Sequence, residues 1–526
     1  MNASIIRGRS VFTHPRARNS WEEIRDGAVV QQDGVIVAVG RFSEIRAAHP
    51  ALAVVGTADD VVLPGFVNAH HHLGLTPVQL GSPDMPLELW FATRLALRAV
   101  DPYLDTLYSA FEMIASGVTT VQHIHGWVPG GLAEVESAAE EVIRAYRDIG
   151  MRVSYCYALR EQNHLVYEAN EAFLARLPAS LRPPLARHFA RFRFSAADCL
   201  ALFAELRARH GDNERVRIQL APANLQWCSD ETLTLFAEAA ERHDATLHMH
   251  LLETAYQKEY AARRTGGSAV DHLGRLGLLG PRLTLGHGVW LDEADIALLA
   301  ETGTHVCHNC SSNFRLRSGV APLNRLAACG VNVAIGIDEA GINDDRDMLQ
   351  EMRMVLRAHR TPGMDDCVPT IAQVLRMATE GGALTTPYGA HIGALLPGRA
   401  ADMVLLDWNE IAFPYLDPAT PRLDAVLQRA RTSAVKTVIV AGEIVYQDGR
   451  FTRVDRDEAL GELARRLALP RSAEEEERRR LARSVLPHVR AFYEDYPPPP
   501  ARPALRSAWS PQTRGRPRRQ FIQERQ

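Results

Sequence analysis

Short apolar runs alternate with long amphipathic stretches over most of the chain, the pattern of repeated strand–helix units that pair into a parallel sheet. The runs are Val61–Leu63 leading to Phe66–Asn68, Val118–Val121, Arg152–Cys156 and Val216–Leu220, then Thr246–His250, Leu283–His287, Thr304–Cys307 and Val331–Gly336. Helical material such as Asp345–His359 lies between or after them. This pattern predicts an α/β fold, an eight-stranded (β/α)8 barrel of TIM type, with its chemistry at the C-terminal strand ends.

The two ends of the chain read differently. Ala28–Gln32 and Val35–Val39 flank Asp33-Gly34, a dipeptide suited to the positive φ angles of a tight hairpin. Thr437–Val440 and Glu443–Tyr446 repeat the signature around Ala441-Gly442, with Asp448-Gly449 following. Two β-rich ends can pair into one unit, so the predicted division is 1–60 and 391–455 for a small β-sandwich, 61–390 for the barrel and 456–526 for an extension. Within the extension Ala473–Ala491 is charged and helical in pattern. Pro497–Pro500 and the arginines 514, 516, 518 and 519 predict an extended or disordered, solvated arm.

Composition narrows the picture. The 526 residues carry a net charge of −4, with 46% hydrophobic and 23% charged residues, the balance of a globular protein. Neither nucleic acid nor a membrane surface is expected as a partner. No run reaches the roughly 18 apolar residues of a membrane span. The first residues lack the apolar core of a signal peptide, and seven cysteines suit no disulfide framework, so a reducing cytoplasm is the expected compartment. Almost all the basic charge is arginine; the lysines are Lys258 and Lys436 alone.

The chemistry concentrates at strand ends. In Phe66-Val67-Asn68-Ala69-His70-His71-His72, alternation puts His70 and His72 on one face and His71 on the other. The fifth strand ends at His250, with His248 on the same face and Glu253 three residues beyond; the sixth ends at His287 and the eighth at Asp338. A barrel would aim all of these at one centre. Nitrogen and oxygen donors around an open position describe a catalytic divalent metal rather than a closed structural one.

These motifs resemble the amidohydrolase superfamily, in its chlorohydrolase and aminohydrolase branch with cytosine, guanine and S-adenosylhomocysteine deaminases. The resemblance spans about residues 1–455 and includes Pro64–His72, Gly117–Thr120, His250–Thr254, Gly286–Val289, His308–Asn313, Gly336–Asp338, Ala378–Ala383 and Pro397–Asp402. It implies one divalent ion, zinc or iron, on His70, His72, His250 and Asp338, with Glu253 and His287 as the proton-transfer pair and Asp338 also accepting a proton. The implied activity is that of a metal-dependent hydrolase, foremost the deamination of a purine, pyrimidine, pterin or triazine-type ring by metal-activated water. Hydrolysis of another C–N or C–Cl bond and a non-catalytic binding relative are the alternatives. Two-metal relatives bridge their ions with a carboxylated lysine near the fourth strand; Val216–Asn224 holds no lysine, which favours a single ion. Relatives of this branch often form dimers, so a homodimer is compatible with the reading.

The chain departs from the family pattern in places. Pro222–Trp227 replaces a familiar Pro-His, and Cys310 replaces a proline after His308. Substrate-contact candidates are Trp90, His123, His125, Gln226, Trp227, His308 and Glu339. With Asp344 and Asp345, Glu339 would make the eighth loop acidic and suit a cationic or multi-amino substrate.

Overall fold

The computed structural model describes residues 3–17, 19–72, 74–364, 368–494 and 496. The polyproline stretch and the arginine-rich end expected to form an arm lie outside the described residues.

Both chain ends meet in one nine-stranded sheet. Its strands are β1 (Ala3–Ala17), β2 (Ser20–Gln32), β3 (Val35–Arg41), β4 (Ala53–Val55) and β5 (Asp60–Pro64) from the start of the chain. Those from the far end are β15 (Met403–Asp407), β16 (Val435–Val440), β17 (Glu443–Gln447) and β18 (Arg450–Phe451). The expected hairpins turn at Asp33-Gly34 and Ala441-Gly442, where every central φ is positive. The halves join where β5 runs parallel to β1 and antiparallel to β15, with Val62 opposite both Val11 and Leu405. One apolar cluster, including Ile6, Val29, Met403 and Ile439, draws on both.

This pairing corrects one expectation. Val61–Leu63 does not open the parallel array; it belongs to the terminal sheet. Gly65 breaks the run, because a Cβ there would overlap Thr119, and its N–H donates to the Asp402 carbonyl 3.0 Å away. The parallel strands start after it with β6 (Phe66–His71), β7 (Val118–His125), β8 (Arg152–Leu159), β9 (Val216–Ile218) and β10 (Ala221–Pro222). They continue with β11 (Leu247–Leu251), β12 (Leu283–His287), β13 (His305–His308) and β14 (Val333–Ile335). The two parallel sheets, β10-β8-β7-β6 with β9 on β8 and β11-β12-β13-β14, touch through single bridges at Leu220–Leu247 and His71–Asp338. The array therefore curls back on itself. Its strands are buried on both faces, as parallel sheets require, and the intervening helices pack outside.

The predicted helix at 345–359 runs Met348–Ala358, started by the Asp347 carboxylate, which accepts from the Gln350 N–H. The charged segment forms the helix Ala473–Glu494, whose Leu481, Val485, Val489 and Tyr493 pack against Leu89, Ala92, Tyr167 and Phe173. Among the described residues no helix is long and apolar enough to cross a membrane.

A buried ion pair ties the curled array to the terminal sheet. Arg152 at the start of β8 donates through Nε to Asp402 at 2.6 Å, with 4% and 2% of the side chains exposed. Asp402 also accepts the Ala441 N–H at 2.7 Å, holding the β16–β17 turn. Removing one partner strands the other charge, so Asp402→Ala is expected to lower unfolding free energy by about 3–5 kcal/mol, measured by urea denaturation.

Candidate metal centre and active site

Backbone geometry at the strand ends brings distant residues together. The Asp338 N–H donates to the His70 carbonyl at 2.8 Å and the Ile337 N–H to Asn68 Oδ1 at 3.0 Å, closing β14 onto β6. His287 and Asp338 both take left-handed conformations, with φ of 71° and 65°, which turn their side chains inward at strain that neighbouring structure must hold. Gly336 leaves room for His70 and Asn309, both of which a Cβ would overlap.

The result is one tight donor cluster. His70 Nε2 lies 3.1 Å from His72 Nε2, which lies 3.2 Å from His250 Nε2. Asp338 Oδ1 is 3.2 Å from His72 Nε2 and 3.6 Å from His70 Nε2. His71 faces away, as expected, with Nε2 3.1 Å from Ser109 Oγ. The carbonyls of Ile124 and Ala223 accept from Nδ1 of His72 and His250 at 2.7 and 2.8 Å, and His248 Nε2 meets His70 Nδ1 at 2.8 Å. The two carbonyls place the Nδ1 protons of His72 and His250 and leave their Nε2 lone pairs facing inward. Burial, then repulsion from neighbouring rings, pushes His70 and His250 well below ordinary histidine basicity and keeps them as neutral donors. Burial opposes charge on Asp338 too, but His72 beside it outweighs that and holds it anionic.

This set fits a divalent metal. Tetrahedral ligands at about 2.0–2.1 Å from zinc stand roughly 3.3 Å from one another, close to the spacings observed. Three imidazoles and one carboxylate match a catalytic zinc or iron ion better than a thiolate site.

Glu253 and His287 stand beside the cluster. His287 Nδ1 donates to Asn313 Oδ1 at 2.9 Å, and its Nε2 lies 3.7 Å from Glu253 Oε2 and 3.8 Å from Asp338 Oδ2. Burial pushes the Glu253 carboxyl up to about 7, although His287 opposes the shift. Ser318 donates to Glu253 Oε1 at 3.3 Å, and Ser312 to Asp338 Oδ2 at 2.6 Å.

A narrow pocket opens onto the cluster, lined by His72, His250, Glu253, His287 and Asp338 and walled by Trp90, Phe91, Trp127 and Trp227. Trp90, Trp227 and Glu339 among the substrate candidates therefore reach it. Glu339 is paired rather than free, because Arg94 Nη1 donates to it at 2.5 Å; Asp344 is likewise held by Arg315 at 2.8 Å. The eighth loop is thus largely neutralised instead of acidic. His123 and His125 line a neighbouring cavity of about 290 Å³ that shares His72, with Nδ1 contacts to Tyr146 and Tyr155 at 3.0 and 2.8 Å. His308 turns away to His359, 2.8 Å between Nε2 atoms, and Gln226 is buried outside the pocket lining. Cys307 and Cys310 are buried free thiols.

Sequence reasoning missed Arg94, Trp127 and Arg160 in the pocket wall, and Ser312 and Asn313 behind it. Arg160 was within reach, since it follows the last residue of β8, the same strand-end position that singled out the histidines.

Comparison with known proteins agrees with this geometry. Residues 61–445 match the model of the amidohydrolase family, and 27–51 match an imidazolonepropionase-like composite domain of bacteria. A 5-methylthioadenosine/S-adenosylhomocysteine deaminase of Syntrophobacter fumaroxidans is 32% identical over 82% of this chain and 91% of its own length. A 5'-deoxyadenosine deaminase of Methanosarcina mazei is 31% identical over 84% of this chain and 92% of its own. Among solved structures, a zinc-bound adenosine deaminase of Xanthomonas campestris superposes with a TM-score of 0.74 at 24% identity, covering 90% of this chain and 98% of that one. The zinc complex of an atrazine chlorohydrolase of Arthrobacter aurescens gives 0.75 at 20% identity, covering 88% and 99%. Both are likenesses of fold.

The short helix carrying Ser312 and Asn313, Cys310–Arg315, rests on a buried carboxylate. Glu351 accepts from the Ser311 N–H at 2.9 Å and from its hydroxyl, yet burial still pushes its carboxyl up to about 7. A carboxyl that binds its proton more tightly when folded stabilises fully below its unfolded pKa, and that contribution is lost as pH rises through the folded value. Stability should therefore fall by up to roughly 1.4 kcal/mol per pH unit across this window. Glu351→Gln is expected to flatten that slope, read from urea unfolding at about pH 5 and about pH 8.

Proposed function

The chain belongs to the amidohydrolase family, and from that premise we propose that it is a metal-dependent hydrolytic deaminase of a nitrogen heterocycle of purine, pyrimidine, pterin or triazine type. The carrying observation is the pairing of Glu253, a buried carboxyl that still holds a proton near neutral pH, with the donor cluster 3.7–3.8 Å across His287. A single zinc or iron ion on His70, His72, His250 and Asp338 would supply Lewis acidity and a water acidified to near neutral pKa. The nucleoside deaminases among its relatives support the same bond class.

The residues divide the proton work. His287, its Nδ1–H committed to Asn313, presents an unprotonated Nε2 that can accept from the attacking water. Asp338 takes the proton released as the water oxygen bonds the amino-bearing carbon. Glu253 gives its proton to the adjacent ring nitrogen and regains one from the added hydroxyl as the carbonyl forms, and ammonia departs with the proton returned through Asp338. The aromatic walls, Trp90, Phe91, Trp127 and Trp227, suit a flat ring and exclude bulk water.

We also read the parallel array from Phe66 to about residue 390 as a (β/α)8 barrel carrying a small β-sandwich from 1–64 and 391–455, its boundary moved past β5, with 456–526 as an extension. The closing bridge His71–Asp338 and the apolar cluster shared by both chain ends support that division.

Ammonia release across a panel of amino-purines, -pyrimidines, -pterins and -triazines tests the activity; chloride release or lactam opening without ammonia would move it to another bond. Glu253→Gln is expected to keep metal content and lose about 10²–10⁴ in kcat, with turnover near wild type refuting its role. Chelation should abolish turnover and zinc or ferrous iron restore it. With Glu253 working as an acid, kcat/KM should decline as pH rises through the Glu253 pKa, which burial sets at about 7.

A further inference from the structure

One wall of the pocket carries a charge that nothing in the proposed proton transfers uses. Arg160 follows the end of β8 and lines the pocket with His250, Glu253 and Asp338. Its guanidinium carbon stands 3.5 Å from the ring centre of Trp227, 4.0 Å from Trp127 and 5.2 Å from Phe91. Its Nε and Nη1 are buried without a hydrogen-bond partner, and among the described residues no carboxylate pairs with it. Burial and then Arg94 disfavour its charge, and Glu339 only partly offsets them.

A guanidinium does not shed its proton in a protein, so the penalty stays in the fold. Cation–π contacts with the three rings recover only part of it. Arg94 and Glu339 neutralise each other, which leaves one uncompensated positive charge on the substrate side of the pocket. One planar, monoanionic partner would satisfy both the count and the fork geometry of the free N–H groups.

We propose that Arg160 is an anion-binding residue of this active site and seats a carboxylate carried by the heterocyclic substrate. The inference rests on reading the pocket as the site of the deamination proposed above. It reverses the expectation from Glu339, Asp344 and Asp345, whose first two members are occupied by Arg94 and Arg315.

The test uses the zinc-loaded full chain and two matched pairs, adenosine-5'-carboxylate and cytosine-5-carboxylate, each against its neutral N-methylamide. Turnover is followed by ring absorbance, and binding by calorimetry in the Glu253→Gln background. The carboxylate member of at least one pair should be favoured by about ten- to a hundredfold in kcat/KM or Kd. Arg160→Met should bring that ratio to about one and should not lower Tm, because it removes an uncompensated buried charge; Arg160→Lys should keep part of the preference. Preference for the neutral member or no preference in both pairs overturns the proposal, as does a carboxylate preference that survives Arg160→Met. Because the wild-type comparison needs no variant, it stands even if Arg160→Met fails to fold. Arg160-dependent carboxylate binding without deamination of any ring would retire the deaminase reading and keep the anion site; deamination without carboxylate preference would do the reverse.

Discussion

Crowding of three imidazoles and one carboxylate into a few ångströms is the constraint on which the site depends. With inward-facing nitrogens 3.1–3.2 Å apart, burial and mutual repulsion keep positive charge off His70 and His250. Nitrogen donors beside one anion then create a demand for external positive charge, which a divalent ion would meet. The surrounding features serve this crowding. Gly336 admits His70, the left-handed backbone at His287 and Asp338 aims those side chains inward, and the Ile124 and Ala223 carbonyls orient two of the rings.

Support for the residues proposed to transfer protons reaches to the far end of the chain. The hydroxyl oxygen of Tyr493, on the helix Ala473–Glu494, accepts from the Tyr167 N–H at 3.2 Å. The Tyr167 hydroxyl donates in turn to Glu88 at 3.0 Å, and Glu88 also accepts from the hydroxyl of Thr254, next to Glu253. A segment outside the 61–445 family match thus packs one wall of the site. The pocket combines this apolar wall with an unbalanced cation, an arrangement that costs stability and makes sense for a binding surface.

Much of this was legible before the fold was known. Two-residue alternation put His70 and His72 on one side and His71 on the other, and the strand-end rule reached His250, His287 and Asp338, because both depend only on local backbone period. Local period was also where reasoning slipped. Val61–Leu63 has the apolarity of a parallel-sheet strand, yet its partners are β1 and β15, the second of which lies more than 300 positions away. Glu339 read as a free acid because its partner Arg94 lies 245 residues earlier.

Residue type and spacing by themselves determined which side chains could ligate a metal and carry protons, because ligand chemistry and strand periodicity are local properties. Only the tertiary structure decided which charges remain after pairing. Arg94 and Arg160 are the same residue type on the same pocket wall; one is cancelled by a carboxylate and the other meets only aromatic faces. Pairing is set by long-range packing, in which desolvation penalises every charge left alone, and that balance has no signature along the chain.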